Sequence, residues 1–129
     1  KGSGVTRDGQ TIERPMVPSL TPKLHFGKNT VSSPSVLAFR ASSKHFFDEN
    51  LTWLMDVELY ARLWKDYGDP IVLPETLIAN RLHADQVSKK VDRLIQKREL
   101  DYVLRKSASF TQISGYLEYA KRRAKTLFL

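Results

Sequence analysis

The chemistry open to this chain lies in a carboxylate, a guanidinium and an imidazole. Asp56 and Glu58 fall in the opening turn expected for a helix, beside backbone N–H groups that have no partner inside it. Farther on, Asn80-Arg81-Leu82-His83 reads as the end of a strand, and the two-residue period sets Arg81 and His83 on one side. A carboxylate within reach of a hydroxyl can take its proton, while a guanidinium and a neutral imidazole can hold a phosphate or a metal ion. Each residue alone has a plainer reading: Asp near a helix start commonly only caps it, and a single His at a strand end is more often structural or exposed. The conjunction is what gives the three a chemical rationale.

The elements that must position them follow from periodicity and punctuation. Leu59, Tyr60, Leu63 and Trp64 recur at three- and four-residue spacing, which predicts a helix over 56–67 stopped by Gly68 and Pro70. The glycines and prolines from Gly2 to Gly27 make residues 1–29 a loop or extended arm. Val31, Val36, Leu37 and Phe39 suggest a strand within 30–40, with Pro34 at its start or edge, and residues 41–47 a turn or short helix. Ile71-Val72-Leu73 reads as a short strand kinked at Pro74, and 77–83 as a second one with Leu77 and Ala79 toward the core. After a polar break at 84–88, Val91, Leu94, Ile95, Leu100, Val103 and Leu104 keep helical spacing, and another helix runs through Gly115 to Leu127. The expected class is α/β, an α+β fragment whose partial mixed sheet carries a central helix near 56–67. Three regions result: the arm 1–29, the sheet-bearing part 30–88 and a basic helical extension 89–129.

Composition narrows the classes. The 129 residues, 41% of them hydrophobic with a mean hydropathy of −0.38, suit one globular domain able to bury a core. No run of eighteen apolar residues could span a bilayer, and no hydrophobic signal region follows Lys1-Gly2-Ser3-Gly4. Without cysteine there is no disulfide, thiolate metal site or thiol nucleophile, and a cytoplasmic location is expected. The net charge of +7 is carried largely after residue 88, in residues such as Lys89, Lys97, Arg98, Arg105, Lys121 and Arg123. Such a run is either a solvated helix face or a surface drawn to anionic phospholipid or nucleic acid.

Phe47-Asp48-Glu49, then Met55-Asp56-Val57-Glu58-Leu59-Tyr60-Ala61-Arg62-Leu63, Tyr67-Gly68, Asn80-Arg81-Leu82-His83 and Val87-Ser88 come in a telling order. With Asn29 and Ser33-Pro34-Ser35-Val36-Leu37-Ala38-Phe39-Arg40 upstream, they resemble the second half of the catalytic domain of family-2 glycosyltransferases of the GT-A fold. The resemblance covers residues 29 to 90. It implies transfer of a sugar from a nucleotide-sugar donor to an acceptor hydroxyl, with inversion, on a divalent metal. Asp56 matches the catalytic base, Met55 standing where the family commonly has a further acid. Arg81 and His83 match the basic pair at the donor diphosphate, His83 also as metal ligand, and Ser35, Met55 and Glu58 fall on the acceptor side. Manganese suits a neutral His, whereas magnesium prefers oxygen ligands.

The family's first half, ending in a metal-binding Asp-x-Asp, has no counterpart before residue 29, so the metal (Mn or Mg) is expected only with that half. The resemblance therefore implies a C-terminal part of a larger enzyme that binds donor weakly or not at all alone. Its exposed apolar surface and sheet edges would favour a homo-oligomer. The implied partners are a nucleotide-sugar and a saccharide or lipid-linked acceptor, with 89–129 making peripheral contact at the cytoplasmic membrane surface. The competing reading is a non-catalytic basic interaction module for nucleic acid, protein or an anionic membrane, with Tyr102, Phe110, Tyr116 and Tyr119 available for stacking.

Overall fold

Among the described residues, three α-helices organise the chain: α1 (Met55–Tyr67), α2 (Arg93–Lys106) and α3 (Ile113–Phe128). They are seen in a computed structural model that describes residues 2–5, 11–75, 77–81, 86, 90–107 and 113–128. Val57, Tyr60 and Ala61 of α1 share one buried cluster with Leu100 and Val103 of α2 and Tyr119 of α3. The remaining space is filled by Leu24 and Phe26, from a 3₁₀ helix at Pro22–Phe26. Burying each large apolar side chain contributes about 1.5–3 kcal/mol, so this cluster is the main source of stability.

Local chemistry sets the helix ends. Gly68, at φ +77°, closes α1 by returning its N–H to the Trp64 carbonyl at 2.9 Å, and Pro70 follows. Asp92 opens α2 by accepting the Leu94 N–H at 3.0 Å. Gly27 ends the 3₁₀ helix at φ +74°, and a Cβ there would meet Leu100 Cδ2 at 2.6 Å. Both the left-handed backbone and the close approach of α2 exclude a side chain.

The expected α/β fold is corrected: this is a small helical protein, and no GT-A-like mixed sheet forms its heart. Short strands β1 (Gly2–Val5), β2 (Thr11–Met16) and β3 (Ile78–Arg81) pair in the order β2-β1-β3. Of the strand side chains that are described, Met16 is exposed and Ile78 half-buried. The strand expected within 30–40 is a loop with a 3₁₀ turn at Pro34–Val36. Its reason is side-chain competition: Asn29 Oδ1 accepts the N–H groups of Val31 and Ser32 at 2.9 and 2.8 Å, and Ser32 sits at φ +102°. Ile71-Val72-Leu73 forms no strand either; Pro70 and Pro74 bracket it, and Ile71 is 92% exposed. The arm read as loop contains β1, β2 and the 3₁₀ helix that fills the core. No helix among the described residues is long and apolar enough to cross a membrane.

Candidate active site

The site begins where α1 begins. Leu54, at the helix N-cap, has no side chain able to accept a hydrogen bond. Glu99 of α2 instead holds the backbone that leads into the helix. Its Oε1 accepts the Thr52 N–H at 2.9 Å, and its Oε2 accepts those of Trp53 and Leu54 at 2.9 and 2.8 Å. Glu99 is only 1% exposed, so this buried carboxylate is balanced by amide donors and the positive end of the helix dipole.

On that anchored turn stands Asp56, half-buried. Its Oδ1 accepts the Val57 N–H at 2.7 Å, and its Oδ2 accepts Asn29 Nδ2–H at 2.8 Å. Burial pushes its carboxyl above the usual carboxylate range, against the effect of the backbone hydrogen bonds. One turn on, the buried Tyr60 donates its hydroxyl to the Ser32 carbonyl at 3.1 Å. Burial first, then the charge of Asp56, pushes this phenol above its ordinary value. Asn29 and Tyr60 thus tie the 29–32 turn to α1 on both sides of the acid.

Glu58 takes a different direction, since two residues turn a helix by about 200°. It is 4% exposed, and its Oε1 accepts from Arg62 Nε and Lys106 Nζ, each at 2.8 Å. Lys106 also binds Asp48, which accepts from the Tyr102 hydroxyl at 2.9 Å and from the Asn50 N–H and amide. Burial would raise the Asp48 carboxyl, yet Lys106, Asn50 and Tyr102 together hold it far below the usual range. These contacts make a bridge from α1 to α2. Arg62 extends it to the preceding loop, donating to the carbonyls of Lys44 and Phe46.

A cleft of about 780 Å³ runs along the later turns of α1, lined by Tyr60, Leu63 and Trp64, by Ser35, and by Ile71 and Leu77; Asp56 lies one turn before Tyr60 and does not line it. Its size lies in the range of small-ligand sites, and its lining is mostly apolar. Ser35 is exposed at the cleft, whereas Met55 is half-buried against the core. Arg81 is the last residue of β3, and His83 lies outside the described residues, as does the polar break at 84–88 apart from Gln86. Among the described residues no three His, Cys, Asp or Glu side chains gather as metal ligands. The divalent ion implied by the resemblance therefore finds no ligand set in them, and no chemical step is routed through it.

Sequence reasoning missed Glu99, which reads as one acid on a basic helix, and the Asp48–Lys106–Glu58 bridge. Asn29 carried no role; only its place just before a β-branched residue and a serine pair hinted at a side-chain turn. No protein-family model, curated protein or solved structure matches the chain.

Proposed function

We propose that this chain is the acceptor-side part of a nucleotide-sugar glycosyltransferase and that Asp56 is its general base. The observation that carries the reading is the setting of Asp56. It is a carboxylate oriented through both oxygens, raised in basicity by burial, and set one turn before Tyr60, which lines a ligand-sized cleft. The sequence resemblance supplies the reaction class. In the step, Asp56 takes the proton of the acceptor hydroxyl as its oxygen bonds to the anomeric carbon. The bond from that carbon to the diphosphate breaks, its electron pair leaves with the nucleoside diphosphate, and the carbon inverts. Such proton transfer contributes about 10²–10⁴ in rate. Arg81 and His83 are assigned to the diphosphate, and Ser35 to the acceptor; the acceptor is a saccharide or a lipid-linked glycan at the cytoplasmic side.

The test is calorimetric titration of UDP and UDP-sugars with Mn²⁺ into the wild type, Asp56→Asn and His83→Ala, with transfer assayed alongside. Donor binding lost in His83→Ala but kept in Asp56→Asn, together with transfer lost in Asp56→Asn, is expected. Transfer at the normal rate in Asp56→Asn would overturn the assignment of the base.

A second reading, contact with an anionic membrane, is favoured by the outer side of α2, where Arg93, Leu94, Arg98 and Arg105 are all exposed. Each cation near an anionic surface contributes about 1 kcal/mol. Sedimentation with phosphatidylserine vesicles should then rise with anionic lipid content and fall with salt. Indifference to both would remove the membrane role and leave the catalytic one untouched.

A further inference from the structure

Asn29 has one amide and divides it between two tasks. Its oxygen accepts the N–H groups of Val31 and Ser32, and its Nδ2 donates to the Ser32 carbonyl at 2.9 Å, which closes the 29–32 turn. The same Nδ2 donates to Asp56 Oδ2 at 2.8 Å, across 27 residues of sequence. A turn locked by an asparagine oxygen has no need of the second donation, and Asp or Ser would close it as well. The donation to Asp56 is the part that only an amide supplies.

Resting on the assignment of Asp56 as base, we propose that Asn29 is its positioning residue: it fixes which carboxylate oxygen faces the acceptor and supplies that carboxylate with a donor. The geometry leaves one arrangement. Oδ1 of Asp56 is engaged by the Val57 N–H from below, and Oδ2 is held by Asn29 from the turn opposite. The carboxylate plane is thereby set by two donors on separate elements, so it cannot rotate without losing one. Each oxygen keeps a further lone pair, and Asn29 itself is exposed.

Burial alone disfavours the charged form of Asp56. A donor hydrogen bond to the carboxylate opposes this, and Asn29 provides it without bringing a charge that would compete for the acceptor. Among the described residues, Tyr60 of the same helix is the ionisable group coupled to Asp56, and the facing turn of Asn29, Thr30, Val31 and Ser32 has none. Tyr60 bears on the acid by charge, and its hydroxyl is already given to Ser32. Asn29 is therefore the residue through which the turn acts on the base.

The test separates the two tasks. Asn29→Ser keeps an oxygen that can close the turn and removes the amide donor to Asp56 without adding a charge, whereas Asn29→Ala loses both. The chain labelled with ¹³C at aspartate carboxyls is titrated by NMR, and thermal unfolding is recorded for each variant. In Asn29→Ser the melting temperature in acid, where Asp56 is protonated, is expected to stay close to the wild type, while the Asp56 midpoint rises. In the transfer assay kcat should fall on the order of tenfold to a hundredfold with KM held, since small misplacements of a catalytic group cost up to about 10². The acid limb of the rate profile should move to higher pH with the NMR midpoint. A folded Asn29→Ser whose Asp56 titrates as in the wild type would overturn the proposal. A shifted midpoint in a chain that shows no transfer with any donor would instead uphold the positioning role and sink the glycosyltransferase reading.

Discussion

At the scale of single residues, Asp56 is held at a cost to the fold. Its folded pKa lies above the value for an exposed aspartate, so the unfolded chain releases this proton at lower pH than the folded one does. The contribution of Asp56 to stability is thus complete below the unfolded value. It is lost as pH rises through the folded value, and is flat above that. Asp56→Asn cannot ionise and escapes this loss. Urea unfolding across pH 3 to 8 should show the variant gaining on the wild type as Asp56 ionises, with a constant difference above its folded midpoint. A difference that does not change with pH would mean that Asp56 is not destabilised by burial. Asp48 behaves in the opposite sense. Its carboxyl is held low by Lys106, Asn50 and Tyr102, so its contribution is present above the unfolded value and lost in strong acid. Two aspartates eight residues apart therefore oppose each other in acid, one serving the site and one the frame.

At the scale of elements, the helix that carries Asp56 is completed by another helix. Glu99 binds three backbone N–H groups ahead of α1, a role that local sequence usually gives to Ser, Thr, Asp or Asn at the N-cap. Removing it leaves those donors without an acceptor in a dry place. Glu99→Ala should lower stability by about 3–5 kcal/mol, read as a lower midpoint in urea at unchanged slope. Glu99→Gln, which keeps one oxygen but loses the charge facing the helix dipole, should fall between the two. A midpoint unchanged in Glu99→Ala would mean that water replaces the carboxylate. Helices were the legible elements: the period of Leu59, Tyr60, Leu63 and Trp64 and the stop at Gly68 locate α1 to within one residue at its start. The extended stretches were not. Val31, Val36 and Leu37 have strand-forming composition, but Asn29 captures the backbone donors and Pro34 turns the chain, and neither effect registers in an apolar count.

At the scale of the whole molecule, the parts read as separate regions share one core. Leu24 and Phe26 of the arm, α1 of the middle and Leu100 of the extension pack together, and Gly27 is needed because α2 comes so near. Composition and spacing placed Asp56 at a helix start and made the basic excess evident. They could not show which partners reach Asp56 through space, because Asn29 lies 27 residues away and the pairing depends on the tertiary fold. For the same reason Glu99 looked like a surface residue among cations, although it is among the most buried side chains.

The reach of Glu99 also sets an order of events in time. Leu54 and its acceptor are 45 residues apart, so the first turn of α1 leaves the ribosome with its donors facing water. At elongation rates of about 5–20 residues per second, roughly 2–9 s pass before residue 99 is even made. Through that interval the backbone of Thr52, Trp53 and Leu54 lacks its acceptor, which arrives only when the basic helix docks. A newborn chain thus cannot complete the entry to α1 until synthesis has moved well past it.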